Sequence, residues 1–387
     1  MSEKDKTCDI VLLSYENPDL LEKCVVSVLH NTDVPSRLII VDNASRNERV
    51  KKYISDLAGN DVVSIEKVFC DRNYGFAGGI NRGMRLSTSS FVCILNNDCI
   101  VTKSWLSEMI SVAVSQKNIG LVNPQSSTFG SIPSPEKGIE KHAAELSCRK
   151  GKYTELGHAI GFACLIKREV IDKIGYLDEI FEGVCYEDTD YSMRVLKAGY
   201  ISVIAEGAYV FHLEQASRKN LKNRDEIYAR NLSLFTERWG KILRVLYLDQ
   251  GLDITQTEFL REDYEMMRAL SRQRAFVDMW VKDSKKLVTP GGAYEYLGVI
   301  RHADVNLNVF SDAFYGIRFL WKVLTKKKKY DAVILKQGFL SGIVSFFAFT
   351  GRYKVFILNY DDRLIGPDGK IFDLVDAVGL AGYLRGE

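Results

Sequence analysis

Long apolar runs, paired cysteines and an excess of charge of either sign are all missing from this chain. Its 387 residues carry 52 Lys+Arg against 50 Asp+Glu, a net charge of +2. No global field draws it to nucleic acid or membrane, and no nucleic-acid partner is expected. All 8 cysteines lie between Cys8 and Cys185, and none forms a Cys-x-x-Cys pair. Several, such as Cys93 and Cys164, sit inside apolar runs. They read as reduced, buried thiols of a cytosolic protein, not as a disulfide frame or a zinc site. The 5 histidines show no metal-ligand spacing among themselves. The N-terminus, Met1 to Lys6, is polar and charged, unlike a signal peptide. The apolar part of Gly338 to Gly351 is shorter than the roughly 20 residues a membrane span needs.

What is present is ordinary globular composition, 46% hydrophobic and 26% charged. The length predicts more than one domain. The first half alternates strand-like and helix-like segments. Ile10 to Ser14, Leu38 to Val41, Val62 to Phe69 and Phe91 to Leu95 read as strands. Asp19 to His30, Glu48 to Leu57, the stretch ending near Leu86, and Ser104 to Ser115 read as helices. This βα alternation predicts a mainly parallel sheet wrapped by helices. From Gly120 to Leu156 the proline- and serine-rich sequence reads as a long loop, a candidate lid. Gly161 to Lys167 predicts a strand, and Glu169 to Ile174 and Asp188 to Gly199 predict helices. Ile201 to Ala205 and Tyr209 to Phe211 read as two further strands. A second α/β unit starts around residues 240–250. Its expected strands are Val245 to Leu248, Leu287-Val288, Val305 to Phe310, Ala332 to Leu335 and Val355 to Leu358, with helices over Thr257 to Val281 and Phe314 to Leu324.

The chemistry concentrates at strand ends. Asp42 closes one buried strand, and Asn96-Asn97-Asp98 closes another. Parallel strands would put these oxygen-bearing side chains on one rim, the carboxyl edge where open α/β sheets bind ligands. An aspartate with neighbouring oxygen donors suits Mg²⁺ or Mn²⁺ held together with substrate phosphates. A glycine-rich turn, Asn73 to Gly83, precedes the second strand. Gly75, Gly78, Gly79 and Gly83 do not fit G-x-G-x-x-G, so a dinucleotide fingerprint is excluded. They read instead as letting backbone approach a ligand closely, with Asn81 or Arg82 nearby. Glu187-Asp188-Thr189-Asp190 opens a helix, where the dipole favours acidic residues in any case. An aspartate there also suits a general base acting on a hydroxyl. His212 can supply an imidazole to the same metal as Asp98. Arg218 and Lys219, just beyond, place cations where a leaving diphosphate needs neutralising.

In order and spacing these pieces resemble the inverting family 2 glycosyltransferases of GT-A fold, over roughly residues 8 to 240. They are Ile10 to Tyr15, Ile40 to Ser45, Asn73 to Gly79, Leu95 to Asp98, Tyr186 to Asp190 and His212. The closest likeness is to the bacterial rhamnosyltransferase-like branch, in polysaccharide biosynthesis. The resemblance implies that Ser14 and Asp42 hold the nucleoside of a nucleoside-diphosphate sugar. Asn73, Gly78, Gly79, Arg82, Asn96, Asn97 and Arg218 complete the donor site. Asp98, with His212, would bind Mn²⁺ or Mg²⁺. Asp188 would be the catalytic base, with Glu187 beside it orienting a glycan or lipid-linked glycan acceptor. Asn96 stands where the family's DxD pattern has its first acidic residue, and a neutral ligand implies weaker metal affinity.

The domains expected are 1–240, the GT-A domain, and 241–387, a smaller Rossmann-like α/β domain. The latter resembles one half of a GT-B glycosyltransferase, notably in Tyr330 to Leu335 and Asn359 to Asp362. Lacking the other half, it reads as a docking or degenerate domain. Phe319-Leu320-Trp321 followed by Lys326 to Lys329 reads first as a core helix and a solvated loop. Lipid-linked acceptors would also make it a peripheral contact at the inner face of the membrane. Two other functions compete. A non-catalytic GT-A module serving as a scaffold would account for Asn96. A nucleotidyltransferase would need a basic glycine-rich loop near the first strand, which Leu13 to Asn17 does not provide.

Overall fold

In the computed structural model the chain divides into two compact units, Met1–Trp239 and Gly240–Glu387. The structure describes residues 7–183, 185–213, 223–289, 291–311, 330–336, 354–358, 363–373 and 376–386. Arg218, the 314–329 stretch, the apolar 338–351 run and 359–362 lie outside these residues.

The N-terminal unit runs β1 (Cys8–Ser14), α1 (Pro18–Asn31), β2 (Ser36–Asp42), α2 (Glu48–Asp56), β3 (Val63–Phe69), α3 (Gly75–Leu86) and β4 (Phe91–Asn96). It continues with β5 (Cys99–Val101), α4 (Trp105–Ser115), β6 (Ile119–Gln125), α5 (Gly138–Leu146), β7 (Tyr153–Leu156) and β8 (Ala163–Lys167). Last come α6 (Arg168–Ile174), α7 (Glu187–Lys197), β9 (Ile201–His212) and α8 (Arg224–Trp239). The sheet order is β3-β2-β1-β4-β8-β6-β9-β5, with β7 on β9. It is parallel from β3 through β4, and β8 enters antiparallel.

Alternation along β1 explains the layering. Ile10 and Leu12 point into a core shared with α1 and α4, while Val11 points to the other face, beneath α3. Two glycines let α3 lie close to the sheet. A Cβ on Gly83 would meet Val11 Cγ1 at 2.4 Å, and one on Gly79 would meet Leu13 Cδ1 at 2.4 Å. The glycine-rich stretch is therefore helical from Gly75 onward, not a turn as far as Gly83.

The stretch 120–156 is not a loop. Strand β6 passes through Pro124 next to a register shift, a place where a strand tolerates proline. Helix α5 follows; Ile139, Ala143 and Leu146 recur at helical spacing, but none of its residues is fully buried. The two strands expected over 201–211 are one, β9. Gly207, between the two expected strands, sits within contact of the Lys150 backbone, where a Cβ would come within 2.8 Å.

The C-terminal unit holds β10 (Leu243–Asp253), α9 (Thr257–Arg272), β11 (Ala275–Lys282), α10 (Ala293–Leu297) and β12 (Val305–Phe310). Then follow β13 (Ala332–Lys336), β14 (Lys354–Leu358), β15 (Arg363–Ile365), β16 (Ile371–Asp373) and α11 (Ala377–Arg385). Its sheet order, β12-β11-β10-β13-β14-β15-β16, is parallel through β14 and places the unit's first strand at the centre of those five parallel strands, as in doubly wound folds. Helix α9 ends at Arg272, because Arg274 turns left-handed (φ 63°) and starts β11. Leu287 and Val288 form no strand; their amides donate to the Asp283 carboxylate. Among the described residues no helix is long and apolar enough to cross a membrane.

Candidate active site

The parallel register fixes the rim. Ser14 and Asp42 are direct partners at the carboxyl ends of β1 and β2, and Asn96 pairs with Leu13 one position earlier. Both Ser14 and Asp42 are buried. The Asp42 carboxylate accepts the Ser45 amide at 3.1 Å. The Ser14 hydroxyl is buried without a hydrogen-bond partner. A buried hydroxyl normally finds a partner, so Ser14 at this sheet edge has the capacity to hydrogen-bond a ligand.

The loops leaving these strands are tied together. Glu16 donates its amide to Ser45 Oγ and accepts the Arg46 and Asn47 amides on its carboxylate. Glu16, Asn17 and Ala44 all adopt left-handed backbone (φ 54°, 54° and 60°), as do Cys185 and Tyr186 before α7 (79° and 78°). Strained non-glycine backbone collects at functional rims. Asn43, which the sequence singles out only within a motif, holds the next turn. Its amide donates to Asn73 Oδ1 and the Gly75 carbonyl and accepts the Tyr74 amide. Asn73 thus spends its side-chain oxygen on the fold. Arg82 donates to the Gly78 carbonyl and lies over the Tyr74 ring, one helical turn into α3.

The sharpest cluster lies where β5 and β9 pair. Cys99 sits opposite His212 in that antiparallel register, which brings His212 Nε2 to 3.1 Å from Asp98 Oδ1. The other ring nitrogen, Nδ1, is 2.8 Å from Thr128 Oγ1. The imidazole is stacked on Phe162, with centroids 5.0 Å apart and planes 12° from parallel. Asp98, Cys99 and His212 offer their ligand atoms within 4.8 Å of one another. The Cys99 thiol is the odd member. Burial pushes it well above the usual thiol range, and it donates to the Phe162 carbonyl within the core. A carboxylate and an imidazole whose second nitrogen is already engaged fit a divalent cation of the Mn²⁺ or Mg²⁺ type, with phosphate oxygens completing its shell.

Asp188 stands in the first turn of α7. Its Oδ2 accepts the Gly161 amide at 3.0 Å, and its Oδ1 accepts the Thr189 amide at 2.7 Å. Glu187 is buried beside it. Gly161-Phe162 connects the two halves of the site: Gly161 donates to Asp188, while the Phe162 carbonyl accepts the Asn96 amide and its ring backs His212. Nothing in the sequence marks this dipeptide. Asp190 is structural. It is fully buried, with Oδ2 accepting Arg194 Nε at 2.9 Å and Oδ1 accepting Arg238 at 2.7 Å and Trp239 Nε1 at 2.9 Å.

Residues 9–175, the stretch that builds this rim, match the model of glycosyl transferase family 2. The match covers 167 of the chain's 387 residues, a similarity of that stretch to the family. Among curated proteins, the uncharacterized protein y4gI of Sinorhizobium fredii is 26% identical over 250 residues, covering 59% of this chain and 27% of its own length. The low-salt glycan biosynthesis hexosyltransferase Agl10 of Haloferax volcanii is 25% identical over 197 residues, covering 48% of this chain and 60% of its own. The chain thus spans less than two thirds of either relative. The solved mannosyltransferase PcManGT of Pyrobaculum calidifontis, in complex with GDP-Man and Mn²⁺, is a looser likeness. It shows 14% identity over 60% of this chain and 63% of that one, at a TM-score of 0.44.

Proposed function

We propose that this chain is a family 2 glycosyltransferase that transfers a sugar from a nucleoside-diphosphate donor to a hydroxyl of a glycan or lipid-linked glycan, with inversion and with Mn²⁺ or Mg²⁺ bound. The observation that carries this is the Asp98–His212 pair, 3.1 Å apart, at the end of the sheet edge that also presents Ser14 and Asp42. Bound there, the cation would neutralise charge on the diphosphate. Ser14 and Asp42 receive the nucleoside. Asn73, Gly78, Gly79, Arg82, Asn96, Asn97 and Arg218 form the remaining donor set. Asp188 takes the proton of the acceptor hydroxyl as that oxygen attacks the anomeric carbon, and the nucleoside diphosphate leaves. The Thr189 amide and hydroxyl engage Oδ1 and the Gly161 amide takes one lone pair of Oδ2; together they aim the carboxylate and leave the second lone pair of Oδ2 for the proton.

On this reading residues 1–240 are the transferase and 241–387 a Rossmann-like docking domain. A lipid-linked acceptor would bring the chain to the cytoplasmic face of the membrane. The first donor to test is dTDP-rhamnose, against UDP- and GDP-sugars, each with Mn²⁺, Mg²⁺ or EDTA. Turnover of one donor that EDTA abolishes supports the transferase. Absence of turnover with every donor and a range of glycan acceptors favours the scaffold. Asp188→Asn should lower turnover about 10²–10⁴-fold with donor affinity kept. Full activity, or lost donor binding, removes Asp188 as the base.

A further inference from the structure

The segment 126–131 falls within the stretch that reads as a lid in the sequence, but it makes a fixed set of contacts to His212. Ser126 Oγ accepts the Thr128 amide at 3.3 Å and so nucleates the 3-10 turn Ser127–Phe129. Ser127 Oγ accepts the His212 amide at 3.1 Å and donates to the His212 carbonyl at 2.8 Å, pinning the end of β9. Thr128 Oγ1 then meets the ring at Nδ1, 2.8 Å away, and Phe129 packs edge-on against Phe162, the ring on which His212 is stacked. Backbone and ring edge are held from this one turn directly, and the ring face through Phe162.

We infer that Thr128 is a positioning residue for metal binding: its hydroxyl orients the His212 imidazole so that Nε2 points at the cation site beside Asp98. This rests on reading Asp98 and His212 as the metal pair. A ring free to rotate about its Cβ–Cγ bond would present Nε2 to the site only part of the time, and the Nδ1 contact removes that freedom. A hydroxyl both donates and accepts. The contact therefore persists whichever ring nitrogen carries the hydrogen, which a carbonyl partner would not allow. Outer-shell partners of this kind typically change metal affinity 10–100-fold when removed.

The test is Mn²⁺ binding to the purified full chain, without donor, read by electron paramagnetic resonance of free Mn²⁺. It compares the wild type with Thr128→Val, Thr128→Ser and His212→Ala. Thr128→Val keeps the shape of the side chain and removes the hydroxyl. It should weaken Mn²⁺ binding about 10–100-fold, while hydrogen exchange of its β9 peptides in EDTA matches the wild type. Thr128→Ser should restore binding. If His212→Ala weakens binding but Thr128→Val does not, the inference fails and the metal reading stands. If Thr128→Ser loses binding as Thr128→Val does, the hydroxyl is not the determinant and the inference also fails. If His212→Ala leaves binding unchanged, the metal reading fails and takes the role of Thr128 with it.

Discussion

Asp190→Asn tests whether α8 holds α7, and with it Asp188, through a buried charge. Asp190 is fully buried, while its partners Arg194 and Arg238 are 23% and 37% exposed. Removing one member of a buried pair costs about 3–5 kcal/mol, because the partner is left uncompensated; an exposed pair is worth only about 0–1 kcal/mol. Here the buried member is the one altered, and asparagine keeps one acceptor oxygen. The new amide must nonetheless face either Arg194 Nε or the Arg238 and Trp239 donors, so donor opposes donor. Both arginines reach solvent and recover part of their hydration. The expected loss is therefore about 2–3 kcal/mol, below the fully buried case and well above the surface one. A chain of two units does not give one interpretable melt. Hydrogen exchange resolved to α7 and β9 peptides isolates the N-terminal unit, and 2–3 kcal/mol should speed its slowest amides about 30–150-fold. An acceleration under about 3-fold would place this network with surface pairs and refute the reasoning.

Gly83→Ala should destabilise the N-terminal unit despite the roughly 1 kcal/mol that alanine gains in a helix. The added methyl meets Val11 Cγ1 at 2.4 Å on a stiff, buried β-branched side chain. Gly79→Ala meets the mobile end of Leu13 and should cost less; equal effects would contradict this packing account. Asp9, at the opposite edge of the sheet, predicts a pH dependence. Burial by itself would raise its carboxyl, but the Arg37 guanidinium and the Thr88 and Ser89 amides outweigh that and hold it below the usual range. The stabilisation it contributes is complete above the unfolded carboxyl value of about 3.9 and is lost as pH falls through the lower folded value. Asp9→Asn should therefore flatten the acid limb of stability below about pH 4; an unchanged limb would show that Asp9 is not its source.

The parallel core was legible because its strands are short apolar blocks closed by polar residues: Leu38 to Asp42 and Phe91 to Asn96 stand where they were expected. Asp42 and Asp98 follow from those endings. The pairing of Asp98 with His212 was expected from the chemistry of the two side chains and from the resemblance, not from the strand pattern. What creates it is the three-residue strand β5, too short to leave a period, lying antiparallel to β9. Three features misled for physical reasons. Prolines suggested a loop where β6 absorbs one at a register shift. Two strands were expected over 201–211 where β9 runs on through Gly207, against which another segment packs closely. The α9–β11 junction has neither glycine nor proline, only Arg274 in a left-handed conformation, so helix and strand merged into one apparent helix. Gly161 and Phe162 act through backbone groups and a ring face, and Thr128 through a hydroxyl contact 84 residues along the chain, none of which residue identity alone reveals.

The most direct measurement of the central claim is calorimetric titration of the full chain with the sugar nucleotide that it turns over, in Mn²⁺ and in EDTA, alongside Asp98→Ala. Donor binding that requires Mn²⁺ and falls at least tenfold in Asp98→Ala is the result expected of a metal-bridged diphosphate at this rim. Donor binding of equal strength in Mn²⁺, in EDTA and in Asp98→Ala would contradict it.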